Sequence, residues 1–279
     1  MTVSNLHTDN NDLDFGTESD FDRTLAGQIW GQLRKHYLAI FFFVVFIVMT
    51  TACFLAPVIA PFEFDAIDLG NIRQPPSAEH WMGTDSLGRD LFTRILYGGR
   101  ISILIGIFSA LVGTGFGSLI GAVAGFFGGR TDNVLMRFTD VAYSIPTLPL
   151  LIVLSSYTQS AVPSMVLIIG FLSWMATARV VRSQVLQVRE LEYVEAARSI
   201  GASSRRILLR HILPNSVGPI IVGATLGVGN AIIIESSLSF LGLGVQPPTP
   251  TWGNMLQDSQ ATMVSEPWLT IFPGLAILI

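Results

Sequence analysis

The sequence carries little charge. Only 13% of its 279 residues are Asp, Glu, Lys or Arg, about half the fraction of an ordinary soluble domain. That charge stands in clusters between long uncharged runs: residues 37–62, 101–129, 141–178 and 212–234 contain none. Each run reaches the roughly 20 residues needed to cross a hydrocarbon core, so the pattern excludes a soluble fold. Cysteine is nearly absent. Cys53 stands alone, which excludes an intrachain disulfide, and it reads as a small apolar packing residue. The first apolar run lies behind 36 residues, exceeds the apolar core of a leader peptide and lacks a small-residue cleavage site, so it reads as a retained span. Catalytic constellations are missing as well. No Gly-x-x-x-x-Gly-Lys-Ser/Thr stretch is present to hold phosphates. His7, His36, His80 and His211 share no metal-ligand spacing, and no nucleophile stands with a base.

What remains is an all-α membrane protein. Residues 1–36 form an acidic tail (Asp9, Asp12, Asp14, Glu18, Asp20 and Asp22) followed by a basic pre-membrane segment. Such a tail buries too little apolar surface to order itself, and the net charge of −4 owes much to it. Residues 37–62 are the first span, 63–100 an external loop, and 101–279 the core domain. The run 141–178 is too long for one span and breaks at the polar stretch 155–160, with Pro163 beyond. The third span then starts near Val134 and the fourth covers 164–181. With the run at 212–234, five complete spans result. A sixth begins at Pro267, and the stretch 267–279 reaches only roughly 20 Å as a helix, against a core of roughly 30 Å. The expectation is a truncated sixth span. With the N-terminus inside, 12 of the 16 Lys and Arg residues fall on the inner side and four, Arg73, Arg89, Arg94 and Arg100, fall outside. Basic residues accumulate on the cytoplasmic side, so a cytoplasmic N-terminus is expected.

Within the spans, Gly113, Gly117, Gly121 and Gly125 recur every fourth residue on one helix face, where a neighbouring backbone can approach closely. Gly223, Gly227 and Ala231 repeat the device in the fifth span. Pro146 and Pro149 each remove a backbone donor and should disturb the third. Glu235 falls near the outer end of the fifth span; it either faces a pathway or gate, or sits at the interface with access to solvent, the second being the simpler account. Asp85, Arg89, Asp90 and Arg94 have the spacing for Asp85–Arg89 and Asp90–Arg94 pairs that would stiffen the external loop.

Residues 179–214 hold seven of the 16 basic side chains. Leu191, Val194 and Ile200 have helical spacing beside the small Ala196 and Ala197. Gly201 interrupts, Ser203 or Ser204 can cap a second short helix, and that helix carries Ile207, Leu208 and Ile212 before Pro214 stops it. Two amphipathic helices meeting at a glycine fit either a docking element or a basic loop lying on anionic lipid. Composition leaves both open.

The residues Glu195-Ala196-Ala197-Arg198-Ser199-Ile200-Gly201, followed by Leu213-Pro214, resemble the EAA motif of binding-protein-dependent ABC importer permeases. The family usually has Ile where this chain has His211, with Ile212 beside it. His80-Trp81-Met82-Gly83-Thr84-Asp85-Ser86-Leu87-Gly88-Arg89-Asp90 resembles the external loop of dipeptide/oligopeptide permease C subunits. So does Leu238-Ser239-Phe240-Leu241-Gly242-Leu243-Gly244-Val245-Gln246-Pro247-Pro248. The resemblance implies a type I ABC importer permease bundle in a bacterial or archaeal plasma (inner) membrane. It would pair with a second homologous permease subunit, with the solute path at their interface. The coupling loop, 182–214, would seat in a cleft of one of two cytoplasmic ATPase subunits. There Glu195 would hydrogen-bond near a helix end and Gly201 would permit the sharp bend. A periplasmic or extracellular solute-binding protein would deliver the cargo. The chain itself would be no enzyme and bind no cofactor, because ATP and Mg would be used by the partners; no nucleic acid is implied. Peptides are the expected solute, with nickel chelates, glutathione or another small solute as alternatives. An ion-gradient-driven secondary transporter is the rival from another class. It predicts intramembrane carboxylates or histidines and an inverted repeat, but only Asp140 and Glu235 come near, both at span ends, and no repeat is visible.

Overall fold

The structure, a computed structural model, describes residues 37–158 and 161–279; the acidic tail and basic segment over 1–36 lie outside the described residues. Among those described, every regular element is a helix. The chain divides into two units after Val48. Helix α1 (Tyr37–Phe54) begins in the first unit, where its described residues are almost all apolar.

The second unit, Met49–Ile279, is organised on one long helix. After the short α2 (Ala56–Ile59), a stretch without regular structure runs to Asp90, where α3 (Leu91–Phe127) begins. The Asp90 carboxylate accepts from Thr93 N at 2.8 Å and so satisfies one of the free donors of the first turn. This cap starts the helix ten residues before the uncharged run, so the loop expected over 63–100 ends at Asp90. The first span is also shorter than 37–62: α1 stops at Phe54, and Pro57 permits only one further turn. α4 (Gly129–Ser144) and α5 (Thr147–Tyr157) meet at a bend of 80°. Pro146 stands at that break and Pro149 in the first turn of α5, where no intrahelical donor is needed. The stretch expected as the third span is therefore two helices, not one disturbed helix.

α6 (Val162–Arg189) lies along α3, and α7 (Glu192–Ser199) follows it. α8 (Ser204–Ile207) passes through a π-helical turn, Leu208–Ile212, and a 3₁₀ turn, Pro214–Ser216, into α9 (Val217–Phe240). Pro214 thus does not stop the helix as expected. The wider turn before it takes up the missing donor, with Leu213 N–H reaching the Leu208 carbonyl at 2.8 Å. α10 (Trp252–Ser259) and α11 (Trp268–Leu278) complete the unit.

Among the described residues, three helices are long and apolar enough to cross a membrane: Leu91–Phe127, Val162–Arg189 and the continuous Ser204–Phe240. The bent pair Gly129–Ser144 and Thr147–Tyr157 makes a fourth if it is one span, and Ile40–Phe54 and Trp268–Leu278 are shorter apolar helices. Only 11% of the most apolar part of Ser204–Phe240 is buried inside the chain. A surface with Leu226 at 68% and Ile233 at 55% exposure suits lipid or another protein and not water. The buried side chains form separate clusters along α3. Leu91, Ile95 and Ile103 meet Trp252, Met255 and Leu269 at its start; Ile105 meets Leu151, Met165 and Ile169 further on; Ala122 meets Val181, Val185 and Ile212 towards its end.

Candidate functional site

The stretch from α7 to α9 is built by apolar anchors set in a polar surface. Val194, Ala197, Ile207 and Ile212 are buried with Ala122, Val181, Val185 and Val188, which fastens α7 and α8 to the ends of α3 and α6. Between these anchors the surface is open: Glu195, Ala196, Arg198, Gly201 and Pro214 are exposed, His211 and Leu213 half-buried, and Ile200 is 86% exposed. Gly201 has φ +81° with nothing within 4 Å of the position a Cβ would take, so its backbone conformation, and not space, calls for glycine. Ser203 is the cap of α8, its hydroxyl accepting from Arg206 N at 3.4 Å. Among the described residues Glu195 makes no side-chain hydrogen bond, in contrast to its expected role. It stands in the first turn of α7 beside Glu192, where the positive end of the helix dipole favours a carboxylate.

The four-residue glycine series of α3 faces α6. A Cβ on Gly113 would meet Ser173 Oγ and the Gly170 carbonyl; on Gly117, the Trp174 carbonyl and Thr177; on Gly121, the Ala178 carbonyl, with Arg182 N at 3.0 Å; on Gly125, the Arg182 carbonyl at 2.9 Å. The backbones are in contact along three turns and more. In α9 the device is shorter: Gly227 faces Ala110 and Ala231 is buried, but nothing lies near Gly223.

Glu235 is fully buried, so the solvent-accessible position expected for it is not the one it takes. Ser239 Oγ donates to Oε1 at 2.7 Å and Ser102 Oγ donates to Oε2 at 3.2 Å. Ser102 Oγ in turn accepts from Trp252 N at 3.2 Å. One carboxyl therefore ties α3, α9 and the start of α10. The sequence signal for this tie lies in Thr251-Trp252-Gly253-Asn254: Thr251 and Asn254 form a reciprocal capping box at 3.1 and 2.9 Å. That box fixes Trp252, whose ring N–H donates to the Ile95 carbonyl at 3.0 Å.

Before α3, a buried charged cluster holds the irregular stretch. Arg89 pairs with Asp85 at 2.7 Å, as expected from spacing. Arg94, however, turns to Asp85 at 3.4 Å and to Asp258 at 3.9 Å. The expected Asp90–Arg94 pair is not made, because Asp90 is engaged in capping α3 and lies 2.9 Å from His80 Nδ1. Two carboxylates thus face two guanidiniums, which balances charge where Arg94 is 2% exposed. Burial pushes the Asp258 carboxyl above the usual carboxylate range, against the opposing pull of Arg94 and Arg89.

Two further ion pairs link α4 to α6, and spacing along one chain could not reveal either. Arg182 grips Asp132 through both nitrogens of one edge, Nη2–Oδ2 being 2.6 Å. Arg179 meets Asp140 by a single contact at 2.8 Å and lies over the Tyr143 ring at 4.6 Å. At the end of α6, Arg189 donates to the Gly125 carbonyl at 2.9 Å, satisfying a last-turn acceptor of α3. No group of three or more His, Cys, Asp or Glu residues able to hold a metal occurs among the described residues.

Comparison with known proteins gives two family matches. Residues 117–279 match the family described as "Binding-protein-dependent transport system inner membrane component", and residues 24–76 match the "N-terminal TM domain of oligopeptide transport permease C". The glutathione transport system permease protein GsiD of Pectobacterium atrosepticum is 40% identical over 258 residues, 92% of this chain and 86% of that protein. A protein of Brucella suis biovar 1, named as a peptide permease, is 43% identical over 243 residues, 86% of this chain and 80% of that one. GsiD of Escherichia coli O6:K15:H31 is 40% identical over 258 residues, covering 92% of this chain and 85% of that protein.

Proposed function

The chain belongs to the family of binding-protein-dependent transport system inner membrane components, and from that premise we propose that it is a permease subunit of an ATP-driven ABC importer whose cargo is peptides. Relatives named for peptide and for glutathione transport support this class of solute, glutathione being itself a small peptide. In this reading the N-terminus is cytoplasmic, five spans are followed by a sixth formed by α11, and the unburied faces of the long helices meet a second homologous permease subunit. Two ATPase subunits handle ATP and Mg²⁺ on the cytoplasmic side, and a solute-binding protein delivers the cargo on the other.

The observation that carries the reading is the build of 192–214. Its anchors Val194, Ala197, Ile207 and Ile212 pack on α3 and α6, while Glu195, Ala196, Gly201 and Pro214 are left open. An element open on one side and fastened on the other can pass a push from an ATPase cleft to the membrane helices. Lipid attachment of the same loop would leave the exposed carboxylates Glu192 and Glu195 against anionic headgroups. The experiment is reconstitution in vesicles with the ATPase and binding-protein partners. Uptake should require ATP, and exchanging Glu195 and Gly201 should separate ATP hydrolysis from uptake. Uptake that persists without ATP and collapses with an uncoupler would establish the ion-driven rival. Calorimetry on the partner binding protein with dipeptides and with glutathione would separate the two cargoes.

A further inference from the structure

The Asp140–Arg179 pair stands in surroundings that do not suit a plain surface ion pair. Phe138 stacks on Trp174 with ring centroids 5.9 Å apart, and Trp174 meets Phe116 at 5.3 Å; Phe116 is in the middle of the uncharged run 101–129. Ala142 packs on the cluster of Trp174, Met175 and Ala178. Ala178 itself abuts Gly121, six residues before α3 ends at Phe127, so Arg179 lies roughly 9 Å along α3 from its end at about 1.5 Å per residue. At this level the side chains of Asp140 and Arg179 are still 51% and 44% exposed.

Charged groups open to hydrocarbon are costly and instead face a bundle interior or a water-filled cavity. The neighbouring Arg182–Asp132 pair shows what a structural pair on the same helices looks like: two contacts, with Asp132 only 13% exposed. Arg179 spends one of its five donors on Asp140, and among the described residues its remaining donors and Asp140 Oδ2 have no side-chain or backbone partner. The pair therefore has capacity to spare, in the fork geometry that receives a carboxylate, with the Tyr143 ring alongside at 4.6 Å.

We propose that Asp140, Tyr143 and Arg179 line the water-filled path of the transporter and form its contact for the charged ends of a zwitterionic solute, the carboxylate received by Arg179 and the ammonium by Asp140. This inference rests on the permease reading above.

The test uses the assembled complex in nanodiscs, with Arg179→Cys, Asp140→Cys or Tyr143→Cys in this chain, so that one non-assembling variant does not end the experiment. Cys53 is buried and serves as the unreactive reference. Labelling of the new cysteine by methanethiosulfonate ethyltrimethylammonium is followed by mass spectrometry, without nucleotide and after trapping with ATP and vanadate. The expected rates differ at least tenfold between the two states. No labelling in either state, or the same rate in both, places the residues against lipid or static interfacial water and overturns the proposal. In vesicles, uptake of a dipeptide mixture and of glutathione is compared with uptake of their C-terminal amides. Arg179→Gln should cut the preference for the free acids about tenfold; an unaltered preference overturns the proposed contact. If the unsubstituted complex takes up none of these solutes with ATP, the peptide-permease reading fails, while the labelling rates still decide whether the residues line a gated path.

Discussion

Gly117→Ala is the sharpest test of how α3 and α6 are held together. The added methyl carbon would press on the Trp174 carbonyl, stand 2.8 Å from Thr177 Cβ and 3.1 Å from Ala178 N. Carbon atoms are comfortable at about 3.5–4.0 Å, so the helices would have to part locally by roughly 0.7–1.2 Å. Two of the three neighbours are backbone, and Thr177 Cβ would survive truncation to alanine, so no rotamer change relieves the contact. Overpacking of this kind costs about 1–3 kcal/mol. The upper half of that range is expected, because separation at Gly117 also loosens the contacts at Gly113 and Gly121, one turn to either side. Alanine returns at most about 1 kcal/mol through its better helix propensity, leaving a net loss of about 1–2 kcal/mol. The internal comparison is Gly115→Ala, two residues away with nothing within 4 Å, which should be neutral or mildly stabilising. Thermal unfolding of the purified chain in detergent, followed by tryptophan fluorescence, measures both. Equal midpoints for the two variants would refute the claim that backbone contact holds α3 to α6.

Three other outcomes follow from the same contacts. Glu235→Leu should cost about 2–4 kcal/mol in the same assay, because the buried Ser102 and Ser239 hydroxyls lose their acceptor, while Glu235→Gln keeps an acceptor and should cost less than half as much; similar losses would dissolve the proposed tie. Gly201→Ala should lower stability by about 1 kcal/mol through left-handed strain, with Gly201→Asn milder, and equal effects of Ala and Asn would remove backbone conformation as the reason for glycine there. Burial holds the Asp258 carboxyl above its ordinary range, so the folded chain binds that proton more tightly than the unfolded one. Stability is then largest below the unfolded pKa and falls as pH rises towards the folded one; Asp258→Asn should flatten this slope in unfolding midpoints taken from pH 4 upward, and an unchanged slope would assign it to another group.

The sequence made the apolar helices legible because uncharged runs of more than 20 residues have few physical alternatives. The α3–α6 contact was half legible: periodicity put four glycines on one face, but nothing in the chain named α6 as the helix they meet. Boundaries misled where a local device overrode composition. Asp90 starts α3 inside what reads as a polar loop, and the π-helical turn carries a helix through Pro214 that propensity alone would end. The polar pairs were the least legible. Asp132–Arg182 and Asp140–Arg179 span 50 and 39 residues, and Ser102–Glu235 spans 133. No helical spacing connects such partners, so the spacing rule offered Arg94 the wrong carboxylate and left Glu235 beside solvent.

The charged cluster before α3 also orders events in time. Asp85 alone cannot balance both Arg89 and Arg94, and the second carboxylate, Asp258, is synthesised 164 residues after Arg94. At roughly 5–20 residues per second, a ribosome leaves that guanidinium without its second partner for roughly ten to thirty seconds. During this interval α3, α6 and α9 can already be in the bilayer while the 60–90 stretch waits. The stretch reaches its final form only when α10 arrives, so protease resistance there reports the synthesis of α10 and not insertion of the first helices.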